Sequence, residues 1–342
     1  MANKANSPKM TDVARLAGVS TMTVSRALKP GTSVSDDTRE LIRNAADQLG
    51  YVLNSTAAGL KSQRTGFVAV TIPSINNANF ADTLRGLSDK LWGSRLQILL
   101  GYTDYDVDKE EKIIEQFLAR QPEAIVVTGG AHTAKCRQLL AQSNVPVVEM
   151  WDLPQSAIDH VVGFSNADTS KIMVRHLYDQ GYRKIGFIGG DTKRDTRGLD
   201  RRRGFIDAAK ILGLESQRFI AEGIPPVTMR EGAAAMRAML TAWPDTEAVL
   251  CVSDLSAFGA MTECIRSGMK VPDDIAVAGF GDYDLAEYAV PAITTINVGA
   301  QKLGELVADT ILKQLTGVDG QTGQKAIEVE PKLIVRESTR RA

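Results

Sequence analysis

Between Met10 and Leu28 the sequence permits very few folds. Val13, Ala14 and Ala17 recur at helical spacing and give a first short helix one small apolar face. Gly18 then offers permissive backbone for a turn, Val19 plugs the corner, and Ser20 is placed to cap a second helix. Val24 and Leu28 are the buried positions of that helix, which leaves Thr21, Met22, Thr23, Ser25 and Arg26 facing outwards. Two helices joined by so tight a turn make a helix-turn-helix, whose second helix presents its N-terminal side chains to base edges in the major groove. Short hydroxyls, a methionine and an arginine suit that surface. The alternative is an ordinary pair of surface helices, and the sequence beyond Leu28 weighs against it.

A third amphipathic helix is expected from Asp36 to Gly50, with Leu41, Ile42, Ala45, Ala46 and Leu49 apolar and Thr38, Arg39 and Arg43 polar. Tyr51-Val52-Leu53-Asn54 ends it, and Ser55 to Ser62 allows one further short helix. Lys4, Lys9, Arg15, Arg26, Lys29, Arg39, Arg43 and Lys61 outnumber Asp12, Asp36, Asp37, Glu40 and Asp47, so this head is mildly basic. The chain as a whole carries a formal net charge of −1. That balance excludes a protein that coats nucleic acid along its whole surface and fits a DNA-contacting module on a neutral body.

The remainder of the 342 residues, 44% of them apolar, is long enough to bury more than one core. Apolar runs at Phe67–Ile72, Gln97–Leu100, Ala124–Val127 and Val145–Val148 read as strands, separated by helices at Phe80–Trp92, Lys109–Arg120 and Lys135–Ser143. A second series has strands at Ile185–Ile188, Ala248–Val252 and Ile275–Ala278, with helices at Ala167–Gln180, Arg201–Leu212, Arg230–Ala242 and Leu255–Ser267. Such alternation implies two parallel sheets, each covered by helices on both faces. Cys136, Cys251 and Cys264 lack metal-ligand spacing and are expected as buried free thiols, with no metal and no cofactor. No apolar run follows the opening Met-Ala-Asn-Lys and no segment has the length of a membrane span, so a cytoplasmic location is expected.

The run Asp12-Val13-Ala14-x-x-Ala17-Gly18-Val19-Ser20-x-x-Thr23-Val24-Ser25-Arg26, then Val34-Ser35-x-x-Thr38-Arg39, then Leu49-Gly50-Tyr51, closely resembles the head of the lactose-repressor (LacI) family. The likeness extends along essentially the whole chain. It implies an α/β fold class with an all-α helix-turn-helix head and a two-subdomain body like the periplasmic sugar-binding proteins. The head would span 1–54, a hinge helix and linker 55–65, and an effector-binding and dimerisation body 66–342. Within the body, one subdomain would take 66–161 and 295–325 and the other 162–292 and 326–340. The crossing segments would be His160–Gly163, Ala292–Asn297 and Ile327–Val335. The DNA contacts so implied are Thr11, Ser20, Thr21, Met22, Thr23, Ser25, Arg26, Asn54 and Ala57, with Leu60 wedged into the minor groove.

Ligands of open α/β sheets bind beyond the carboxyl ends of the strands. Ser74 and Asn76 follow the first strand and can bond hydroxyls; Phe80 either stacks on a ligand or staples the core. From Asp191 to Phe205 six cations crowd a loop that opens a helix, where free amides and the helix dipole already favour an anion. Arg201 matches the family arginine that reaches the effector, and Arg197 is a second candidate; Lys193, Arg194, Arg202 and Arg203 are expected to be solvated. Ser253 and Asp254 sit at a strand end, with helix capping the plainer role for Asp254. In the turn Gly279-Phe280-Gly281-Asp282, Gly281 stands where many sugar-binding members have an aspartate, and Asp282 remains as a candidate. Glu149 and Trp151 depart from the usual Pro-Val-Val-x-x-Asp pattern. With Thr128–Thr133 and Val162–Asn166, they resemble the gluconate-operon repressors within the family, and hence a sugar-acid effector.

An enzyme would need a reactive constellation, and His132, His160 and His176 have neither nucleophile motif nor metal spacing beside them. A transport-linked binding protein would have no use for a helix-turn-helix. The expected partners are therefore double-stranded operator DNA, a small effector and a second copy of the chain. A dimer rather than a tetramer is expected because no leucine heptad follows the body.

Overall fold

The computed structural model describes residues 8–28, 33–52, 65–190, 193–221, 223–317 and 325–341. The chain divides into two compact units, Met1–Thr65 and Gly66–Ala342.

The first unit holds α1 (Met10–Leu16), α2 (Thr21–Ala27) and α3 (Asp36–Leu49). They close on Val13, Ala14, Val24, Ala27, Ile42 and Ala46, whose small size lets three short helices approach one another. Ser20 Oγ accepts the Thr23 backbone N–H at 3.1 Å, which fixes the start of α2. Ser35 does the same for Thr38 at the start of α3. The Arg39 guanidinium donates to the Ala27 carbonyl and ties α3 to the last turn of α2.

The second unit opens with β1 (Phe67–Ile72), α4 (Ala78–Leu91), β2 (Gln97–Tyr102), α5 (Val107–Leu118), β3 (Ala124–Thr128), α6 (Ala134–Ala141), β4 (Val147–Met150) and β5 (His160–Gly163). It continues through α7 (Asn166–Asp179), β6 (Ile185–Gly189), α8 (Thr196–Ile211), β7 (Phe219–Ala221), α9 (Met229–Ala242), β8 (Ala248–Cys251), α10 (Asp254–Arg266), β9 (Ala276–Ala278) and α11 (Asp284–Tyr288). Last come β10 (Thr295–Asn297), α12 (Ala300–Thr316), β11 (Ala326–Glu328), β12 (Lys332–Ile334) and a 3-10 turn over Glu337–Thr339. One sheet has the order β11-β5-β4-β3-β1-β2 and the other β7-β6-β8-β9; every pairing in both is parallel. In each sheet the order reverses once, between β1 and β3 and between β6 and β8. These reversals open crevices at the carboxyl ends.

The structure corrects several sequence expectations. Ala326–Glu328 pairs with β5, so this stretch belongs to the first sheet and not with the second subdomain. His160–Gly163 is likewise a strand of the first sheet, and the chain crosses only after it. Helices α11 and α12 and strand β7 are additional to the elements expected. Helix α8 begins at Thr196, five residues before the expected Arg201, because Asp195 caps it by accepting the Gly198 N–H at 3.0 Å. All three cysteines are free and buried. Among the described residues, no helix is long and apolar enough to cross a membrane.

Helix α12 returns the chain to the first sheet and lies against α4. A Cβ on Gly304 would fall 2.0 Å from the Thr83 carbonyl oxygen, and one on Gly86 would fall 2.1 Å from that of Gln301. The two backbones thus touch where each helix has no side chain. Gly304→Ala is expected to destabilise the protein by about 1–3 kcal/mol, the usual cost of overpacking, as read from urea unfolding. Unchanged stability would mean that the helices separate without cost.

Candidate functional site

On α2, Thr21, Met22 and Arg26 are exposed and Thr23 and Ser25 half-exposed, while Val24 and Ala27 are buried. Met22 is 63% exposed, far more than a methionine kept for a core. Thr11 is exposed on α1. Ser20 and Thr23 hydroxyls lie 2.8 Å apart and bond each other as part of the cap, so their first role is to hold α2 rigid. Asn54, Ala57 and Leu60 lie outside the described residues.

In the second unit the crevices of the two sheets share one cavity of about 100 Å³. From the first sheet come Asn76, Asn77, Asn79 and Phe80 after β1, Tyr105 after β2, and Trp151 after β4. The second supplies Asp195, Arg197 and Arg201 after β6, Thr228 at the start of α9, Ser253 after β8, and Phe280 and Tyr283 after β9. An aromatic floor runs beneath. Phe80 meets Trp151 edge-on at 5.2 Å, Trp151 meets Phe164 at 5.6 Å, and Phe164 meets Phe280 at 6.2 Å. Trp151 holds φ at +71°, a strained value for a bulky residue. Its Nε1–H donates to Thr83 Oγ1 at 3.1 Å, and its carbonyl accepts from Asn166 Nδ2 at 3.0 Å.

The early start of α8 puts Arg197 and Arg201 one turn apart on the same helix face. Arg201 stacks over Phe280 at 4.1 Å, and Arg197 lies between Phe80 at 5.6 Å and Tyr105 at 5.9 Å. The Arg197 side chain is buried, and so is Arg201 Nε, which has no hydrogen-bond partner. Burial pulls the Arg201 pKa below its ordinary value, and the charge of Asp195 opposes that pull. Asp195 is the one carboxylate among the lining residues described, and one of its oxygens is committed to the α8 cap. Burial, with Asp195 next, pushes the Tyr105 hydroxyl up to about 12, so it remains a neutral donor. The cavity is therefore a buried site with excess positive charge, polar amides and hydroxyls on its walls, and an aromatic base.

Of the ten residues expected around the effector, the cavity gathers Asn76, Phe80, Trp151, Arg197, Arg201 and Ser253. Four are corrected. Ser74 is buried beneath the β1 loop and does not line the cavity. Glu149 lies on β4 between Val148 and Met150 and so points to the opposite face of the sheet, where it accepts the Ile158 N–H at 2.6 Å. Asp254 spends one oxygen on the Tyr283 N–H at 2.8 Å and the other on Thr295 Oγ1 at 2.6 Å. Asp282 pairs with Arg336 at 2.8 Å and accepts from Asn297 Nδ2 at 2.7 Å. Gly281 has φ +127°, and a Cβ there would meet Tyr283 and Asn79 within 2.7 Å, so an aspartate does not fit this turn. Tyr105, Thr228 and Tyr283 were missed; each follows a strand or opens a helix, which is the one signal the sequence offered.

Comparison with known proteins agrees with this architecture. Residues 9–54 match the family of bacterial regulatory proteins of the lacI type, and residues 174–339 match the periplasmic binding protein-like domain. The HTH-type transcriptional regulator GntR of Pseudomonas aeruginosa is 33% identical over 332 residues, covering 97% of this chain and 96% of its own. A LacI-family transcriptional regulator from Silicibacter pomeroyi has a crystal structure with a TM-score of 0.90 at 31% identity, covering 98% of this chain and 100% of that one. The lac repressor dimer bound to operator shares the fold at a TM-score of 0.85 and 23% identity, covering 97% and 99%. The chain belongs to the LacI family. It is a DNA-binding transcriptional regulator with a helix-turn-helix head and a periplasmic-binding-like body.

Replacing a buried, incompletely compensated charge by an apolar group of similar length removes its desolvation cost. Arg201→Met is expected to stabilise the ligand-free protein by about 1–2 kcal/mol, measured by urea unfolding. Lower stability in the variant would mean that the guanidinium is already compensated by the protein.

Proposed function

We propose that the chain is the repressor of a carbohydrate-utilisation operon, acting as a homodimer in the cytoplasm, and that a small sugar acid in the body cavity sets its affinity for operator. The observation that carries this reading is the Arg197–Arg201 pair: two guanidinium groups face a cavity with one carboxylate, and the buried Arg201 Nε lacks a partner. A carboxylate supplies what that arrangement lacks, through charge-assisted hydrogen bonds. The asparagines after β1, Thr228 and Ser253 suit the hydroxyls of a polyol chain, and the aromatic floor suits its C–H face. The Pseudomonas aeruginosa relative is named a transcriptional regulator, which agrees with the regulatory part of this reading. Paired heads read paired half-sites. An effector that binds the open and closed forms of the body unequally shifts their populations, and operator affinity with them.

Calorimetry with gluconate, its phosphate and neutral glucose tests the effector. Gluconate or its phosphate is expected to bind and glucose not to. Arg201→Ala should lose about 1.5–3 kcal/mol, roughly tenfold to a hundredfold in affinity, while keeping operator binding in the absence of effector. Tighter binding of glucose, or an unaffected variant, sinks the sugar-acid reading.

The head is tested separately by selecting bound sequences with Thr21→Ala, Met22→Ala and Arg26→Ala. Each lost base contact is expected to cost ~1–3 kcal/mol and to relax preference at one position. If all three variants kept the parent's preference, α2 would not be the reading helix.

A further inference from the structure

The face of the first sheet that carries Glu149 holds a second group of reactive side chains, which the regulatory function does not use. We propose that Glu110, His132 and Cys136 bind one divalent transition-metal ion of the zinc class, with Glu149 and Thr71 orienting its ligands. Glu110 lies on α5, His132 in the loop after β3, and Cys136 on the first turn of α6. One donor atom from each falls within 4.8 Å of the others. Imidazole nitrogen, thiol sulfur and carboxylate oxygen together are a donor set that zinc accepts and that calcium or magnesium does not favour.

Two observations bear on the site beyond that proximity. First, His132 Nε2 and Glu149 Oε1 are buried and lie 3.6 Å apart, an ion-pair separation too long for a hydrogen bond, so the Glu149 side of the ring is not yet fixed. Second, the group sits in an apolar cluster with Ile114, Ile125 and Val127, where two carboxylates face one imidazole ring. Even with the ring protonated, the charge sum is negative in a setting that disfavours net charge. A divalent ion replaces the two protons its ligands give up, so it is taken up without adding net charge to that setting.

The supporting contacts suit a bound ion. His132 Nδ1 lies 2.7 Å from Glu110 Oε2, the place where nitrogen and carboxylate would share a metal. The other Glu110 oxygen accepts from Thr71 Oγ1 at 3.2 Å, which orients the carboxylate. On binding, the Nδ1 proton and the thiol proton leave to solvent, and the metal takes both sites. The remaining Nε2–H then donates to Glu149 Oε1, the carboxylate–histidine–metal arrangement that fixes a ligand ring. Three protein ligands leave a fourth position for water. Glu110 also lines a cavity of about 300 Å³ that shares Tyr105, Asp195 and Arg197 with the first one.

The test is cobalt titration of the full chain, without a histidine tag, followed by dialysis and metal analysis. One Co²⁺ per chain is expected, with the charge-transfer absorption of a cobalt–thiolate bond. Cys136→Ser, nearly isosteric, should lose that absorption and at least tenfold in affinity; Glu149→Gln should lose about 10–100-fold while keeping the absorption. No retained metal overturns the proposal and leaves His132 as a cation held between two carboxylates. Thiolate absorption that survives Cys136→Ser also overturns it, since the metal would then sit at Cys251 or Cys264. Circular dichroism of each variant confirms that the fold is intact.

Discussion

Arg201 has surrendered water from its buried Nε without gaining a full set of partners, and the architecture around the cavity follows from how that is tolerated. Stacking on Phe280 shields one face of the guanidinium, and Asp195 supplies a nearby opposite charge. Asp195 reaches that place because it caps α8, so the cap, the helix start and the charge balance are one device. Arg197 is added one turn earlier despite repulsion between the two cations, which an anion relieves. A protein that needed only stability would place an apolar side chain at Arg201. Keeping the charge makes sense when a ligand completes it.

How much of this was legible in the sequence depended on how local each cause was. The helix-turn-helix was readable because its determinants, Gly18, Ser20 and the small apolar positions, are close neighbours in the chain. The central strands β1, β3, β6 and β8 were readable as short apolar runs buried on both faces. Helix α12 was overlooked between the crossing strands that flank it, although its apolar positions repeat at helical spacing. What gives it a place is contact with α4, and the bond from Thr83 Oγ1 to the Ala300 carbonyl spans 217 positions of sequence. The edge strands β7 and β11 are three residues each, half-buried and mostly exposed respectively, too short for their composition to show a strand period.

The carboxylates failed for a different reason. Asp254 and Asp282 were each judged from their neighbours in sequence, yet their partners are far away. Asp282 is held by Arg336, fifty-four residues on, and Asp254 by Thr295, forty-one on. Glu149 shares strand parity with Trp151, but Trp151 lies one position past the strand at φ +71°, which breaks the alternation and brings its ring to a cavity that Glu149 does not line.

Those distant partners are concentrated where the chain passes between the two sheets. Asp282 joins Arg336 and Asn297; Asp254 joins Thr295 and the Tyr283 amide; Ser338 Oγ donates to the Val277 carbonyl at 2.6 Å. The antiparallel pair of β10 and β12 lies among them. Polar side chains of the body thus separate into two kinds. Asp254 and Asp282 have both carboxylate oxygens occupied, and their chemistry is spent on holding the crossings. Arg201, and on the far face His132 with Glu149, keep buried polar atoms with nothing to bond. Because unsatisfied buried polar groups are rare in folded proteins, the second kind, to which His160 Nδ1 and Arg218 Nε also belong, is where a bonding partner has most to add. Sequence identifies the residue types that can form such a site, but only the folded chain shows which of them it has already satisfied.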